Sequence, residues 1–208
     1  MPEVSVSSLD VRQQRLAENA QRALEQGDFE YVIEATAEIL KRTPGCLVVR
    51  RMQRKAQLEQ FKTRSRIARL LRSGRAWSRF VFRIRPITAA KSMGQAEQVL
   101  ACAPGSVSGL RLLGGSAQEL GMLETALFAF KAIQDIRPGD RENQLSVGAL
   151  FLNLNRPAEA LSIAEALLEK DSMDVQAQSL QRAASVAQTI TRGNWKAGAS
   201  FGEMLGNP

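Results

Sequence analysis

The chain has 208 residues, enough for one ordinary domain or one short solenoid. Hydrophobic residues make up 44%, which excludes wholesale disorder, and aromatics only 5%, which favours helices packed through Ala, Leu and Val over a sheet. The net charge is +7 and there is no histidine, which excludes Ser-His-Asp and Cys-His catalysis and histidine-ligated zinc.

From the N-terminus, residues 1–10 are polar and lack the apolar core of a secretory signal. No run reaches the roughly 18 apolar residues of a membrane span, so the expected location is the cytoplasm. Residues 9–26 read as a helix with Leu16, Ala20, Ala23 and Leu24 inward, stopped by Gly27. Asp28 opens a second helix, Phe29–Arg42, with Val32, Ile33, Ala35, Ile39 and Leu40 apolar; Thr43-Pro44-Gly45 closes it. Residues 46–61 are expected to be helical. Residues 64–85 then form an amphipathic pattern, with Ile67, Leu70, Leu71, Trp77, Val81 and Ile84 at helical spacing and Pro86 at its end.

Beyond it, Ser106 can cap a helix over 107–120 ended by Gly121, and Leu123–Ile136 carries Leu123, Ala126, Leu127, Phe130 and Ile133 on one stripe. Asp140 caps a helix over 141–155, Pro157 starts another that ends by Asp171, and Asp174 caps Val175–Arg192. The organisation expected is helical pairs over 9–61, a basic insert over 62–87, further helical pairs over 88–192, and a tail from 193 to 208.

The second half repeats at a fixed shift of 34 residues. Pro104-Gly105 recurs as Pro138-Gly139, Gly114 as Gly148, Ala126 as Ala160, and Leu120 as Leu154. Gly114 and Gly148 fall in mid-helix, where glycine costs about 1 kcal/mol against alanine. That cost is offset if a neighbouring helix approaches closely, with Ala126 and Ala160 as the facing small residues. Pro44 to Pro104 spans 60 residues, neither one repeat nor two, so the middle of the chain is irregular.

These residues resemble the tetratricopeptide repeat, whose pattern is met by Leu113-Gly114, Ala126, Phe130 and Pro138, then by Val147-Gly148, Phe151 and Ala160. The second copy departs from it at Ala164 and Ser172, and the early aromatic is replaced by Leu110 and Gln144. Residues 32–61 and 184–195 extend the likeness to bacterial tetratricopeptide proteins. The resemblance implies an all-α helix-turn-helix solenoid, a right-handed superhelix whose first helices line a concave groove that binds a protein or peptide. Groove positions would be Gln14 and Gln21, then Arg51 and Lys55, then Ser108, Arg111 and Gln118, then Leu145 and Asn153. Arg51, Lys55 and Arg111 suit an acidic segment. The tail residues Trp195, Phe201, Met204 and Leu205 look like a short docking motif, for the exposed Leu145 or for a second copy in a homo-oligomer.

Charge is uneven. From Lys41 to Lys91 there are 16 Lys or Arg and only Glu59 of opposite sign, a local +15, against −8 for the remainder. Arg64, Arg66, Arg69, Arg72, Arg75, Arg79 and Arg83 form a basic patch, to be read as a solvated face or as a surface for nucleic acid or anionic lipid. No nucleic-acid-binding motif accompanies it.

Nothing in the sequence carries catalysis. Gly114-Gly115-Ser116 lacks the Lys-Ser/Thr of a phosphate loop and lies within a helix. Glu18, Glu25, Glu30, Glu34 and Glu38 are spaced as ordinary exposed helix charges. Cys46 and Cys102 read as small core hydrophobes. No cofactor is expected, and the function expected is that of a scaffold or adaptor.

Overall fold

The computed structural model describes residues 3–63 and 88–192. The basic patch from Arg64 to Arg83 and the tail residues Trp195, Phe201, Met204 and Leu205 lie outside the described residues. Among the described residues the architecture is all-α, a tetratricopeptide-like series of helix pairs, preceded by a 3-10 turn at Val6–Ser8. Contacts divide the chain into two units, Met1–Ile136 and Arg137–Pro208.

The first unit contains α1 (Val11–Gln26), α2 (Phe29–Arg42), α3 (Leu47–Thr63), α4 (Ala89–Cys102), α5 (Val107–Glu119) and α6 (Leu123–Ile136). Here α1 packs on α2, α2 on α3, α4 on α5 and α5 on α6, and α1 also meets α3 across the intervening helix. Asp10 caps α1, its carboxylate accepting from the Gln13 N–H at 2.7 Å, and Gly27 ends the helix at φ 81°. Asp28 and Ser106 cap α2 and α5 in the same way. The core beneath α1–α3 gathers Leu9, Ala17, Ile39, Leu40, Cys46, Val49 and Met52. Full burial of a side chain such as Ile39 contributes about 1.5–3 kcal/mol.

The start of α6 is stapled by the N-terminal segment. Glu3 accepts from the backbone N–H groups of Glu124 (3.1 Å) and Thr125 (2.5 Å), two donors that have no partner within the helix.

The 60-residue spacing of Pro44 and Pro104 is resolved by α4. This helix ends in Ala103-Pro104-Gly105 as α2 ends in Thr43-Pro44-Gly45, and it packs on α5 as α2 packs on α3. The sequence pattern does not mark α4, because its run of Ala, Gly and Ser is too weakly amphipathic to stand out.

The second unit contains α7 (Arg141–Asn153), α8 (Pro157–Leu168) and α9 (Val175–Arg192), with α8 against both neighbours and α9 against α7. Its helix caps keep the 34-residue register: Ser106, Asp140 and Asp174 each accept from a backbone N–H three residues on. The turns keep it too, since Gly121 (φ 75°) is matched by Asn155 (φ 56°). Asn155 therefore lies beyond α7, which ends at Asn153 rather than at 155; asparagine tolerates the left-handed conformation that the turn needs.

The close approaches expected at Gly114 and Gly148 exist, but with other partners. A Cβ on Gly114 would stand 2.8 Å from the Phe130 ring, and one on Gly148 would collide with the Leu180 side chain. Ala126 and Ala160 are fully buried nearby without being the facing groups. Cys46 is a core residue and Cys102 is half-buried. Among the described residues no helix is long and apolar enough to cross a membrane.

Candidate functional site

The two faces of α3 are built differently. At about 100° per residue, Arg50, Gln53 and Gln57 fall within one sector, and Arg51 and Lys55 fall opposite Gln53. The structure shows that division: the first three are buried and the last two exposed.

On the outer face Arg51 and Lys55 lie one turn apart, close enough to meet one ligand group together. Arg111 and Gln118 are exposed two turns apart on α5. Asn153 is exposed at the end of α7, in the second unit. Of the other positions implied by the resemblance, Gln21 and Ser108 are exposed and Gln14 is half-buried. The Gln14 amide is used locally, donating to the carbonyls of Ser7 and Leu9. Leu145 is half-buried rather than exposed, because α7 turns that side partly toward its neighbours.

Nothing in the sequence marks the inner face of α3. Arg50, only 3% exposed, reaches across to α4 and donates to Glu97 at 2.7 Å. Its other terminal nitrogen donates to the Pro44 carbonyl at 2.7 Å and approaches the Met93 sulfur, whereas Nε finds no acceptor among the described residues. A guanidinium taken out of water needs such an array, since unpaired burial of the charge costs several kcal/mol. One turn on, Arg54 donates to the Pro104 carbonyl at 2.9 Å. Burial lowers the Arg54 pKa from its ordinary value, against the opposing attraction of Asp135. The arginines therefore join α3 to the turn before α5 and to α4, and only the sequence-adjacent Arg51 belongs to the solvent.

Beside this link lies a cavity of about 620 Å³. Its apolar wall comes from Ile33, Ala37 and Leu40 of α2 and from Ala90, Met93 and Ala101 of α4. Gln53 and Gln57 of α3 enter from one side, with Glu97 and Gln98 of α4 opposite, and Lys41 and Arg42 stand at the end of α2. Gln53 is 8% and Gln57 6% exposed, and both line the cavity, where water can reach their carboxamides. Gln13, buried to the same degree on α1, pairs with the Thr43 hydroxyl at 3.2 Å.

In the second unit the strongest polar contact is structural. Arg141 grips Asp174 through two hydrogen bonds of 2.6 and 2.7 Å, while Asp174 also caps α9 through the Gln176 and Ala177 N–H groups. The Arg141 bond, with the backbone N–H of Ala177, holds the Asp174 carboxyl down at about 2.

No family model matches the chain, and a search of curated proteins finds no relative. Among solved structures, a thermophilic TPR protein from Thermus thermophilus aligns over 84% of this chain and 81% of its own, at 16% identity and TM-score 0.42. A tetratricopeptide repeat protein from Parabacteroides merdae aligns over 88% of this chain but only 60% of its own, at 17% identity and TM-score 0.44. The MamA protein aligns over 90% and 98%, at 10% identity and TM-score 0.41.

Proposed function

We propose that this chain is a non-enzymatic adaptor that holds a protein or peptide partner against the exposed faces of its first helices. Arg51 and Lys55 on α3 and Arg111 and Gln118 on α5 would supply the contacts of the first unit, and Asn153 on α7 would be a separate contact of the second. The observation that carries this reading is the arrangement of α3: one face is fixed inside the unit by Arg50 and Arg54, and the other presents two cations to solvent. A helix so anchored presents its outer residues with little ordering cost, and that favours recognition. Cations in such a row select an acidic segment.

The test is affinity capture at about 0.15 M salt, where exposed charges are screened beyond about 8 Å. Wild type is compared with an Arg51→Glu/Lys55→Glu/Arg111→Glu variant of unchanged helicity. A defined protein captured by wild type and lost from the variant supports the reading; capture that is equal in both overturns it. The local +15 between Lys41 and Lys91 favours a second reading, phosphate or anionic-lipid binding through residues 64–85. Nucleic-acid capture that falls steeply with salt, nearly one power of salt concentration per phosphate contacted, would favour it over the adaptor.

A further inference from the structure

We propose that residues 3–9 are a latch that holds α1–α3 against α4–α6, and that its release lets the two sets of helices part while each stays folded. The latch does not depend on the adaptor reading. Where that reading holds, the latch sets the spacing between Arg51 and Lys55 on α3 and Arg111 and Gln118 on α5.

The junction that this segment crosses is built unlike the rest of the first unit. Among the described residues, the helices in close contact along their length pair within α1–α3 or within α4–α6, not from one set to the other. Side-chain ties cross the junction instead. Arg50 donates to Glu97, Arg54 to the Pro104 carbonyl, and Glu3 accepts from the Glu124 and Thr125 N–H groups. The cavity of about 620 Å³ lies where α2 and α3 face α4, in place of apolar packing. Polar groups can exchange such partners for water, so a junction of this kind opens at lower cost than a packed one.

The segment is fastened to both sides. Its Glu3 carboxylate sits on the start of α6, 121 residues away in sequence, where it meets unpaired N–H groups and the positive end of the helix dipole. On the other side the Val4 N–H donates to the Gly45 carbonyl at 3.1 Å, and Val4 and Val6 pack on the core cluster that contains Cys46. Both valines are only partly buried, and Ser5, Ser7 and Ser8 face solvent, so few contacts resist peeling. Leu9 is buried, its carbonyl accepts from the Gln14 amide, and Asp10 caps α1, so release stops there and leaves α1 intact. The Thr125 hydroxyl favours the open form. It is buried without a partner among the described residues, on the residue whose N–H Glu3 holds. Water entering as the latch opens would satisfy it, together with the freed N–H groups of α6.

The test uses the full chain and two readouts. Cys46, fully buried next to the Gly45 that Val4 binds, reports the segment through its rate of labelling by a thiol reagent in a Cys102→Ala background. A dye pair introduced through non-natural amino acids at the exposed Glu34 of α2 and Ser108 of α5 reports the distance between the two sets. In Glu3→Gln, Cys46 labelling is expected to rise about tenfold at unchanged helicity, a shift of about 1.4 kcal/mol in the opening equilibrium. A longer dye distance is expected to gain population by the same factor. Val4→Ser/Val6→Ser, which keeps the carboxylate and removes the apolar contacts, is expected to do the same. Glu18→Gln, at an exposed position of α1, is expected to change neither readout. The proposal is overturned if Cys46 labelling rises while the dye distances stay as in wild type, since the segment is then a local cover only. It is overturned equally if labelling in both variants matches wild type, or if both variants lose helicity by circular dichroism. None of these positions is Arg51, Lys55 or Arg111, so failure here is distinguishable from failure of the adaptor reading.

Discussion

Two regions of the first unit solve the same packing problem in opposite ways. In α5 and α6 the helices close on each other: Gly114 gives up its side chain, the Phe130 ring fills the space, and Leu110, Leu113, Ala117, Ala126 and Ile133 are buried around them. Around α3 the interior is polar. Arg50, Gln53 and Gln57 occupy inward positions, and a cavity separates α4 from α2 and α3. The first region maximises apolar contact, although the Thr125 hydroxyl on α6 is buried there without a partner. The second gives up contact and keeps hydrogen-bonding capacity inside. A repeat fold is modular enough for one pair to be specialised while its neighbour remains a packing unit.

The largest effect that sharpens this contrast is expected at Arg50. Replacing Arg50 by Ala strands the Pro44 carbonyl and leaves Glu97, about a quarter exposed, without its cation. The loss is expected to be about 3 kcal/mol in a denaturant titration, near the low end for a broken buried pair because water reaches Glu97. A change below about 1 kcal/mol would mean that the link between α3 and α4 is dispensable.

Next comes the glycine in the closed region. Gly114→Ala is expected to destabilise by about 1–3 kcal/mol, since the Phe130 ring must move within a filled core. Gly148→Ala in the second unit is expected to cost less than Gly114→Ala. There the obstacle is the end of the Leu180 side chain, which is 8% exposed and can swing aside, while alanine returns about 1 kcal/mol of helix propensity. Equal costs at the two sites would break the distinction between a rigid ring and a movable methyl.

A smaller effect appears only in acid. Asp174 titrates at about 2 in the folded chain, below the roughly 3.9 of an unfolded aspartate. The depressed value means that its contribution is complete above about pH 4 and lost as pH falls through about 2. Asp174→Asn is expected to flatten that part of the profile of unfolding midpoint against pH while retaining part of the cap on α9. An unchanged acid limb in the variant would remove the Arg141–Asp174 pair from the account.

The helices other than α4, and their order, were legible because their signals are local. Asp28, Pro44, Ser106, Gly121, Pro138 and Asp174 act within a turn of their own position, and the observed helices start and stop beside them. The 34-residue shift likewise located the close approaches at Gly114 and Gly148. It did not name Phe130 or Leu180, because the partner of a glycine is set by helix rotation and not by spacing. Asn155 escaped as a turn residue because it replaces glycine with a side chain that also suits a helix end. The candidate cavity was not legible at all. Arg50 and Arg51 are chemically identical neighbours in the chain, and only the rotation of α3 sends one into the interior and the other to solvent. Nothing in the sequence singles out Gln53 and Gln57, whose burial is set by the same rotation.

The central claim is that the outer face of the first helices is the surface that meets a partner. It is tested most directly by placing a photoreactive amino acid at Lys55, at Gln118 and, as a control, at the exposed Val186 of α9, then irradiating each protein in lysate. The account predicts one protein adduct shared by the Lys55 and Gln118 positions and absent from Val186. Adducts only to nucleic acid or lipid, or equal labelling at all three positions, would contradict it.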